Sequence, residues 1–193
     1  MICNAFDLSH AQRLEIAARI SILSHENNSS LLPKSIPDVI SIINSGDIFI
    51  EVKDDEPLFS VAFEPTGNDL FVEIGATCNL APEKIRGKEI FPQIVDKFCS
   101  INGNGKKSLY LTTTDIRMAK VAKKSGLILI SNVGDYFPPD VLKFCCSPCS
   151  LEKTGAIDLA QQLNSCPRFR GIFIPKFGKK YTRQPCQIYG KIM

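Results

Sequence analysis

Residues 70–89 of the chain read LFVEIGATCNLAPEKIRGKE and join a strand-like run to the start of a helix. The stretch 70–78 is apolar and rich in strand-forming residues, which predicts a strand with a bulge or close backbone approach at Gly75. A helix is predicted to follow over about 85–99, with Pro92 restricting where its first turn lies. Such a unit brings the free N–H groups of a helix N-terminus close to a strand end, an arrangement that favours anion binding.

Two helices are predicted before this stretch. Ser9 and Gln12 fit a capping box, and apolar residues then recur at helical spacing, which predicts a helix over about 9–25. A second helix is predicted to begin near Pro37, because proline suits a first helical turn, and to end at Gly46. Both helices present one apolar face for packing against a sheet.

The other predicted strands are short apolar or alternating runs bounded by turn residues, at 47–52, 58–63, 109–113 and 127–130. A helix over 116–125, capped by Asp115 and ended by Gly126, separates the last two. The predicted order is ααβββαβαβ. Since strands alternate with helices only in the second half, we expect an α+β protein (an α/β mixed sheet) with antiparallel hairpins and one parallel crossover.

The composition excludes several classes of function. Of 193 residues, 44% are hydrophobic and 22% are charged, which is typical of a globular chain. No apolar run approaches the roughly 18–20 residues that span a bilayer, so no membrane partner is expected. The net charge of +3 does not indicate a general polyanion binder. Residues 1–7 do not resemble a secretory signal, so we expect a cytoplasmic protein whose cysteines are thiols or metal ligands.

Charge and cysteine are unevenly distributed along the chain. Residues 132–193 hold nine of the 23 Lys and Arg residues but four of the 20 Asp and Glu residues. The same region holds five of the eight cysteines and six of the twelve prolines. We therefore expect a compact core over 1–131, followed by a basic, Cys- and Pro-rich C-terminal part over 132–193 that packs on it.

The strand–loop–helix unit resembles the GCN5-related N-acetyltransferase (GNAT) superfamily. The family signature is Gln/Arg-x-x-Gly-x-Gly/Ala between a strand and a helix, and its counterpart is KIRGKE at 84–89. FVEI at 71–74 is similar to the Phe-x-Glu-Ile strand of the histone acetyltransferase branch, and 109–126 look like the second conserved strand and helix. The resemblance covers about 40–131 and implies a GNAT-like acyl-CoA N-acyltransferase fold with a C-terminal extension.

The resemblance implies acetyl-CoA as acyl donor and an unidentified primary amine as acceptor, which attacks the thioester directly. Glu73 corresponds to the general base of the family, and a base helps because the attacking amine must be neutral. Backbone N–H groups at the end of the third strand would stabilise the developing oxyanion, and the helix start would bind the phosphates. The residues implied for these cofactor-binding roles are Thr77, Cys78, Asn79, Lys84, Arg86, Gly87 and Lys88.

The sequence also departs from the family pattern. Lys84 stands where Gln or Arg is usual, and Glu89 stands where Gly or Ala is usual. Ala122 replaces the Tyr that serves many members as general acid, which leaves Tyr110 and Cys78 as candidate proton sources. These departures keep a second interpretation open, a catalytically silent GNAT-fold protein that binds a protein or nucleic acid.

The C-terminal part contains two further motifs. Cys146 and Cys149 form a Cys-x₂-Cys step, but a Cys₄ zinc site needs a second pair, and Cys166 and Cys186 are single. No metal site is therefore predicted, and zinc remains an alternative to buried or free thiols. Basic and aromatic residues interleave over 168–183, as in some single-stranded nucleic acid sites, although such charges more often form a solvated face. A nucleic acid partner is not favoured.

Overall fold

A computed structural model describes residues 1–26, 34–103, 107–130, 136–138, 141 and 183–193. The elements in these ranges are β1 (Ile2–Asn4), a 3-10 turn (Ala5–Asp7), α1 (His10–His25), α2 (Ile36–Asn44), β2 (Ile48–Lys53), β3 (Glu56–Pro65), β4 (Phe71–Ile74), β5 (Cys78–Asn79), α3 (Gly87–Asn102), β6 (Ser108–Asp115), α4 (Ile116–Lys124), β7 (Ile128–Leu129) and β8 (Arg183–Ile192). The predicted α+β class with mixed strand pairing is confirmed. No helix within the described ranges has the length and apolar character needed to cross a membrane.

The chain forms two compact units. The first comprises Met1–Glu64 and Ile74–Asn104, and the second comprises Pro65–Glu73 and Gly105–Met193. The division falls within β4, so the two units share this strand in sequence. The first unit contains α1, α2 and α3, whereas α4 belongs to the second.

The first unit is built on the antiparallel strands β1, β2, β3 and β5, with β2 between β1 and β3. Apolar residues of α1, α2 and the strands form one core cluster, which includes Ile16, Ile20, Val39, Ile43, Ile48 and Ile50. On β2 and β3, Phe49 and Phe63 contact Phe98 of α3, the latter pair stacked with ring centroids 3.8 Å apart. Strands that are buried on both faces have continuous apolar sequences, which explains the apolar character of the runs at 47–52 and 58–63.

The hairpin predicted between β2 and β3 is confirmed, and the ladder is longer than the sequence pattern indicated. Asp54 and Asp55 have φ values of 50° and 63°. Two consecutive residues in this region are typical of the two-residue turn that matches the twist of the flanking strands. The turn residues therefore fix the register of the hairpin, in which Lys53 pairs with Glu56.

The strand predicted over 70–78 is interrupted, and the bulge expected at Gly75 is present. The N–H of Gly75 donates to the carbonyl oxygen of Ala62 at 2.9 Å, and the N–H of Ala62 donates to Ala76 at 3.3 Å. Two residues thus lie opposite one, which is a β-bulge. A Cβ at position 75 would collide with the Glu64 side chain, so glycine is required there. The bulge separates β4 from β5.

In the second unit the strand order is β4-β6-β8-β7, with β4 and β6 parallel and the other neighbours antiparallel. Helix α4 begins as predicted, since the Asp115 carboxylate accepts the N–H of Arg117 at 2.8 Å. It ends at Lys124, and Gly126, whose φ is 76°, follows as the expected terminating glycine. Strands β1 and β8 were not predicted. Strand β8 lies between β6 and β7, so a C-terminal segment supplies an inner strand of this sheet.

Candidate functional site

Helix α3 differs from the other three α-helices of the described ranges in how it begins. Ser9 and Ser35 cap α1 and α2 with capping boxes, and Asp115 caps α4. Arg86, the N-cap residue of α3, makes no side-chain cap hydrogen bond. The first N–H groups of a helix have no partner within the helix and point out of its N-terminal end. The N–H of Glu89 donates to the carbonyl oxygen of Arg86 at 2.9 Å, so the start of α3 offers the N–H groups of Gly87 and Lys88 to an external acceptor.

The charges at this helix start are mixed. Arg86 and Lys88 are exposed and add positive charge to the positive end of the helix dipole. The exposed carboxylate of Glu89 lies in the first turn and interacts favourably with the same dipole. Two exposed cations against one exposed carboxylate still favour an anion at this helix start.

Gly87 has a packing reason that the sequence did not indicate. A Cβ at this position would lie 2.5 Å from a ring carbon of Phe59, which is 4% exposed on β3. A methyl group cannot fit against a fixed aromatic ring at that distance. Glycine therefore allows α3 to begin directly against β3, in addition to leaving its backbone N–H uncovered.

Asn79 organises the loop that leads into α3. Its amide nitrogen donates to the carbonyl oxygen of Ile85 at 3.1 Å, and its Oδ1 accepts the N–H of Ala81 at 3.3 Å. The N–H groups of Lys84 and Ile85 both donate to the carbonyl of Ala81. The loop is thus a hydrogen-bonded turn, and the Asn79 side chain holds it in place.

Lys84 forms an ion pair with Glu56 of β3. The hydrogen bond from Lys84 is the main cause that lowers the pKa of the Glu56 carboxyl, and the positive charge of Lys84 contributes as well. Both side chains are partly exposed, so the pair contributes little to stability. The Lys84 ammonium is therefore shared with a carboxylate in this structure.

The backbone at the end of the interrupted strand separates the three predicted oxyanion donors. Cys78 is opposite Ser60, and the N–H of Leu80 donates to the carbonyl of Leu58 at 2.9 Å. Successive residues of an antiparallel strand direct their N–H groups to opposite edges. The N–H of Cys78 therefore faces β3, and that of Asn79 faces the other edge of β5, whereas Thr77 precedes β5 in the non-strand segment 75–77.

The thiol of Cys78 has the environment of a packing residue. Its side chain is 3% exposed, and burial raises the pKa of the thiol to about 12, although the Ser60 hydroxyl has the opposite effect. A thiol in this state stays protonated near neutral pH and is not an effective nucleophile.

Glu73 lies in the second unit, where β4 and β6 bring it next to two hydroxyl groups. Glu73 pairs with Tyr110 in the parallel register. The Tyr110 hydroxyl donates to Glu73 Oε2 at 3.5 Å, and the Thr112 hydroxyl donates to Oε1 at 3.2 Å. Tyr110 is 0% exposed and Thr112 is 7% exposed, whereas Glu73 is half-buried. The sequence indicated Glu73 and Tyr110 separately, but not that they meet.

The other positions that the sequence indicated are Ala122, the C-terminal cysteines and the basic and aromatic run. Ala122 is 0% exposed on α4 and carries no group that could act as an acid. Cys146, Cys149 and Cys166 lie outside the described residues, as does most of the basic and aromatic run, and the side chain of Cys186 is not described either. In the part of the chain that the structure does describe, no group of three or more His, Cys, Asp or Glu side chains could hold a metal ion.

No protein-family model matches the chain, and no curated protein matches it. Solved structures do match. Rv2747 from Mycobacterium tuberculosis, crystallised in complex with CoA and a second ligand, is 12% identical with a TM-score of 0.61, and the match covers 100% of this chain and 99% of that one. The polyamine N-acetyltransferase of Drosophila melanogaster is 9% identical with a TM-score of 0.55, over 100% of this chain and 99% of that one.

A third match is N-acetylglutamate synthase from Neisseria gonorrhoeae, complexed with coenzyme A and N-acetyl-glutamate. It is 20% identical with a TM-score of 0.53, and the match covers 72% of this chain and 30% of that longer one. At such low identities the likeness concerns the fold alone. The chain has the GNAT fold, as the sequence resemblance predicted.

Proposed function

We propose that the chain is an acyl-CoA-dependent N-acyltransferase that transfers the acetyl group of acetyl-CoA to a primary amine. The observation that carries the proposal is the start of α3, an uncapped helix N-terminus flanked by exposed Arg86 and Lys88. Backbone donors, a helix dipole and two cations suit a pyrophosphate. Support also comes from the CoA bound in two solved structures that match this fold.

The proposed roles in donor binding follow from the local geometry. The N–H groups of Gly87 and Lys88 donate to the pyrophosphate, and Arg86 and Lys88 add charge-assisted hydrogen bonds. Asn79 keeps the preceding loop in the shape that presents these groups. Lys84 contributes positive charge close by while it remains paired with Glu56.

The proposed chemistry is direct attack of the amine on the thioester carbonyl. Glu73 accepts a proton from the amine, a new C–N bond forms, and the C–S bond breaks to release the CoA thiolate. The N–H group of Asn79, which points away from β3, and that of Thr77 donate to the carbonyl oxygen as it gains charge. A thiol with a pKa near 8.5 leaves readily as thiolate, so the proposal needs no acid at Ala122 or Cys78.

The proposal is tested on the full chain with acetyl-CoA. We expect the melting temperature to rise with acetyl-CoA concentration, because a ligand that binds the folded state stabilises it. We also expect release of free thiol that depends on an added amine, measured with a lysine peptide, a polyamine and an amino acid. Absence of both stabilisation and thioester cleavage, with several acyl chain lengths, would exclude the proposal.

The role of Glu73 is tested separately. Replacing Glu73 with Gln should lower kcat by roughly 10²- to 10⁴-fold, the usual contribution of a general base, and leave acetyl-CoA binding unchanged. The matched control is Glu26→Gln, at an exposed position at the end of α1. A Glu73→Gln variant with the full rate would remove the base assignment and keep the acyltransferase proposal.

Two features favour a second candidate, a catalytically silent GNAT-fold binding protein. Glu89 places a carboxylate at the proposed phosphate site, and Ala122 offers no functional group at the family's acid position. If the chain is such a binding protein, we expect no thioester cleavage with any acceptor. Stabilisation by acetyl-CoA without turnover would favour it over the acyltransferase.

A further inference from the structure

The contacts of Glu73 point to the residues that control its carboxylate. We propose that Thr112 is a positioning residue whose hydroxyl, together with that of Tyr110, fixes the orientation of the Glu73 carboxylate and stabilises its ionised form. The inference rests on the proposed function, which gives Glu73 the role of base. Beyond that role, two hydroxyl groups of β6 are assigned the positioning of the Glu73 carboxylate on β4.

The strand register explains the arrangement. Glu73 is opposite Tyr110 in the parallel β4–β6 pair, and Thr112 follows two residues later, on the same face of β6. Each carboxylate oxygen of Glu73 then has its own donor, Oε1 at 3.2 Å from the Thr112 hydroxyl and Oε2 at 3.5 Å from the Tyr110 hydroxyl. Two donors on one strand constrain both oxygens at once.

Both donors lie on an inner strand of the second unit. Strand β6 pairs on both sides, with Thr112 opposite Ile188 and Tyr110 opposite Gly190 of β8. The Tyr110 ring packs edge-on against Phe137, with centroids 4.8 Å apart. Glu73 itself is half-buried. A pair of donors held by a paired strand and directed at one carboxylate is the arrangement that positioning requires.

The chemistry at position 112 supports the same conclusion. A buried strand position usually favours an apolar β-branched residue, and Val has nearly the shape of Thr. Burying a hydroxyl is costly unless it is hydrogen-bonded, and here it donates to a carboxylate. Thr112 does not titrate, and the titratable group that the described contacts place against Glu73 is the phenol of Tyr110.

The test is a ¹³C NMR titration of the Glu73 side-chain carboxyl in the full chain, with the signal assigned by its loss in Glu73→Gln. Thr112→Val removes the hydroxyl at constant shape. Since a donor to the carboxylate favours the ionised form, its removal should raise the titration midpoint by roughly half to one unit. Thr112→Ser keeps a hydroxyl and should keep the original midpoint, and Tyr110→Phe should raise it by less because its contact is longer.

Two outcomes overturn the inference: an unchanged midpoint in Thr112→Val, or the same shift in Thr112→Ser as in Thr112→Val. If Thr112→Val does not fold, Thr112→Ala and Tyr110→Phe decide the question by the same titration. The titration needs no turnover, so failure of the proposed function is seen separately, as absence of thiol release by the unaltered chain. In an active chain, Thr112→Val should also move the acidic limb of the kcat profile to higher pH while KM for acetyl-CoA stays constant.

Discussion

Helices α2 and α3, both in the first unit, begin in opposite ways. At α2 the Asp38 carboxylate accepts the N–H of Ser35 at 3.0 Å and its hydroxyl at 2.6 Å, and the N–H of Asp38 donates back to that hydroxyl. At α3 the N-cap residue is Arg86, whose side chain caps nothing. The first arrangement satisfies its donors internally and stabilises the fold. The second bonds the N–H of Glu89 to the Arg86 carbonyl oxygen and leaves those of Gly87 and Lys88 for a ligand, without the stability that a side-chain cap contributes.

The largest expected effect concerns the start of α3, whose N-cap side chain makes no capping hydrogen bond. Replacing both Arg86 and Lys88 with Ala should weaken acetyl-CoA binding by about tenfold or more, since two charge-assisted contacts are lost. Titration calorimetry measures this, and the melting temperature without ligand should hardly change. The double change Lys53→Ala with Lys120→Ala removes two exposed cations elsewhere and is the control. Equal weakening in both double variants would mean that net charge, not this helix start, binds the ligand.

A change at the capped start of α2 should alter the stability of the fold rather than ligand binding. Ser35→Ala removes the cap of α2 and should lower the free energy of unfolding by about 1 kcal/mol, measured by urea denaturation. Acetyl-CoA affinity should stay unchanged. Ser41→Ala, at an exposed position within the same helix, is the control and should not destabilise the chain. A binding defect in Ser35→Ala would contradict the division of roles between the two helix starts.

A capping residue introduced at the start of α3 should stabilise the fold and weaken acetyl-CoA binding. Arg86 has φ −102° and ψ 107°, an extended conformation that a capping residue adopts. Arg86→Asn should therefore raise the free energy of unfolding by roughly 0.5–1 kcal/mol and weaken acetyl-CoA binding. Chemical denaturation with and without the ligand gives both quantities. A less stable variant would show that the N–H of Lys88 is already satisfied in the unaltered chain.

The smallest expected effect is the pH dependence of the α2 cap. Hydrogen bonds from the Ser35 side chain and backbone lower the pKa of Asp38 from its ordinary value of 3.8. A lowered folded-state pKa gives stability that is present above the unfolded value and lost as pH falls through the folded value. Asp38→Asn should therefore flatten the decline of unfolding free energy below about pH 4. Gln12→Glu, which introduces a titrating group into the box of α1, should steepen it.

Local patterns predicted much of this fold. The capping box of Ser9 and Gln12, the hairpin turn at Asp54 and Asp55 and the cap at Asp115 are all set by residues close in sequence. Strand β8 could not be predicted in this way. Its sequence RQPCQIYGKI does not alternate, and it forms a strand because β6 and β7 lie on either side of it.

Local sequence patterns indicated some residues of the candidate site but not the side chains that they contact. Glu73 and the Arg86–Lys88 helix start stand out in the sequence because strand, loop and helix are contiguous. The hydroxyl partners of Glu73 depend on the register between β4 and β6, and the contact of Gly87 with Phe59 depends on how α3 lies on β3. Side-chain partners across strands are decided by pairing over long separations, which a local pattern does not contain.

The place of β8 between β6 and β7 has a consequence for biosynthesis. A ribosome produces β6 and β7 well before β8, and these two strands do not pair with each other in the finished sheet. The nascent chain therefore carries two open strand edges until β8 leaves the exit tunnel, and unpaired edges are where chains associate wrongly. The second unit therefore exposes unpaired strand edges for longer during synthesis than the first, whose ladder from β1 to β5 is complete much earlier.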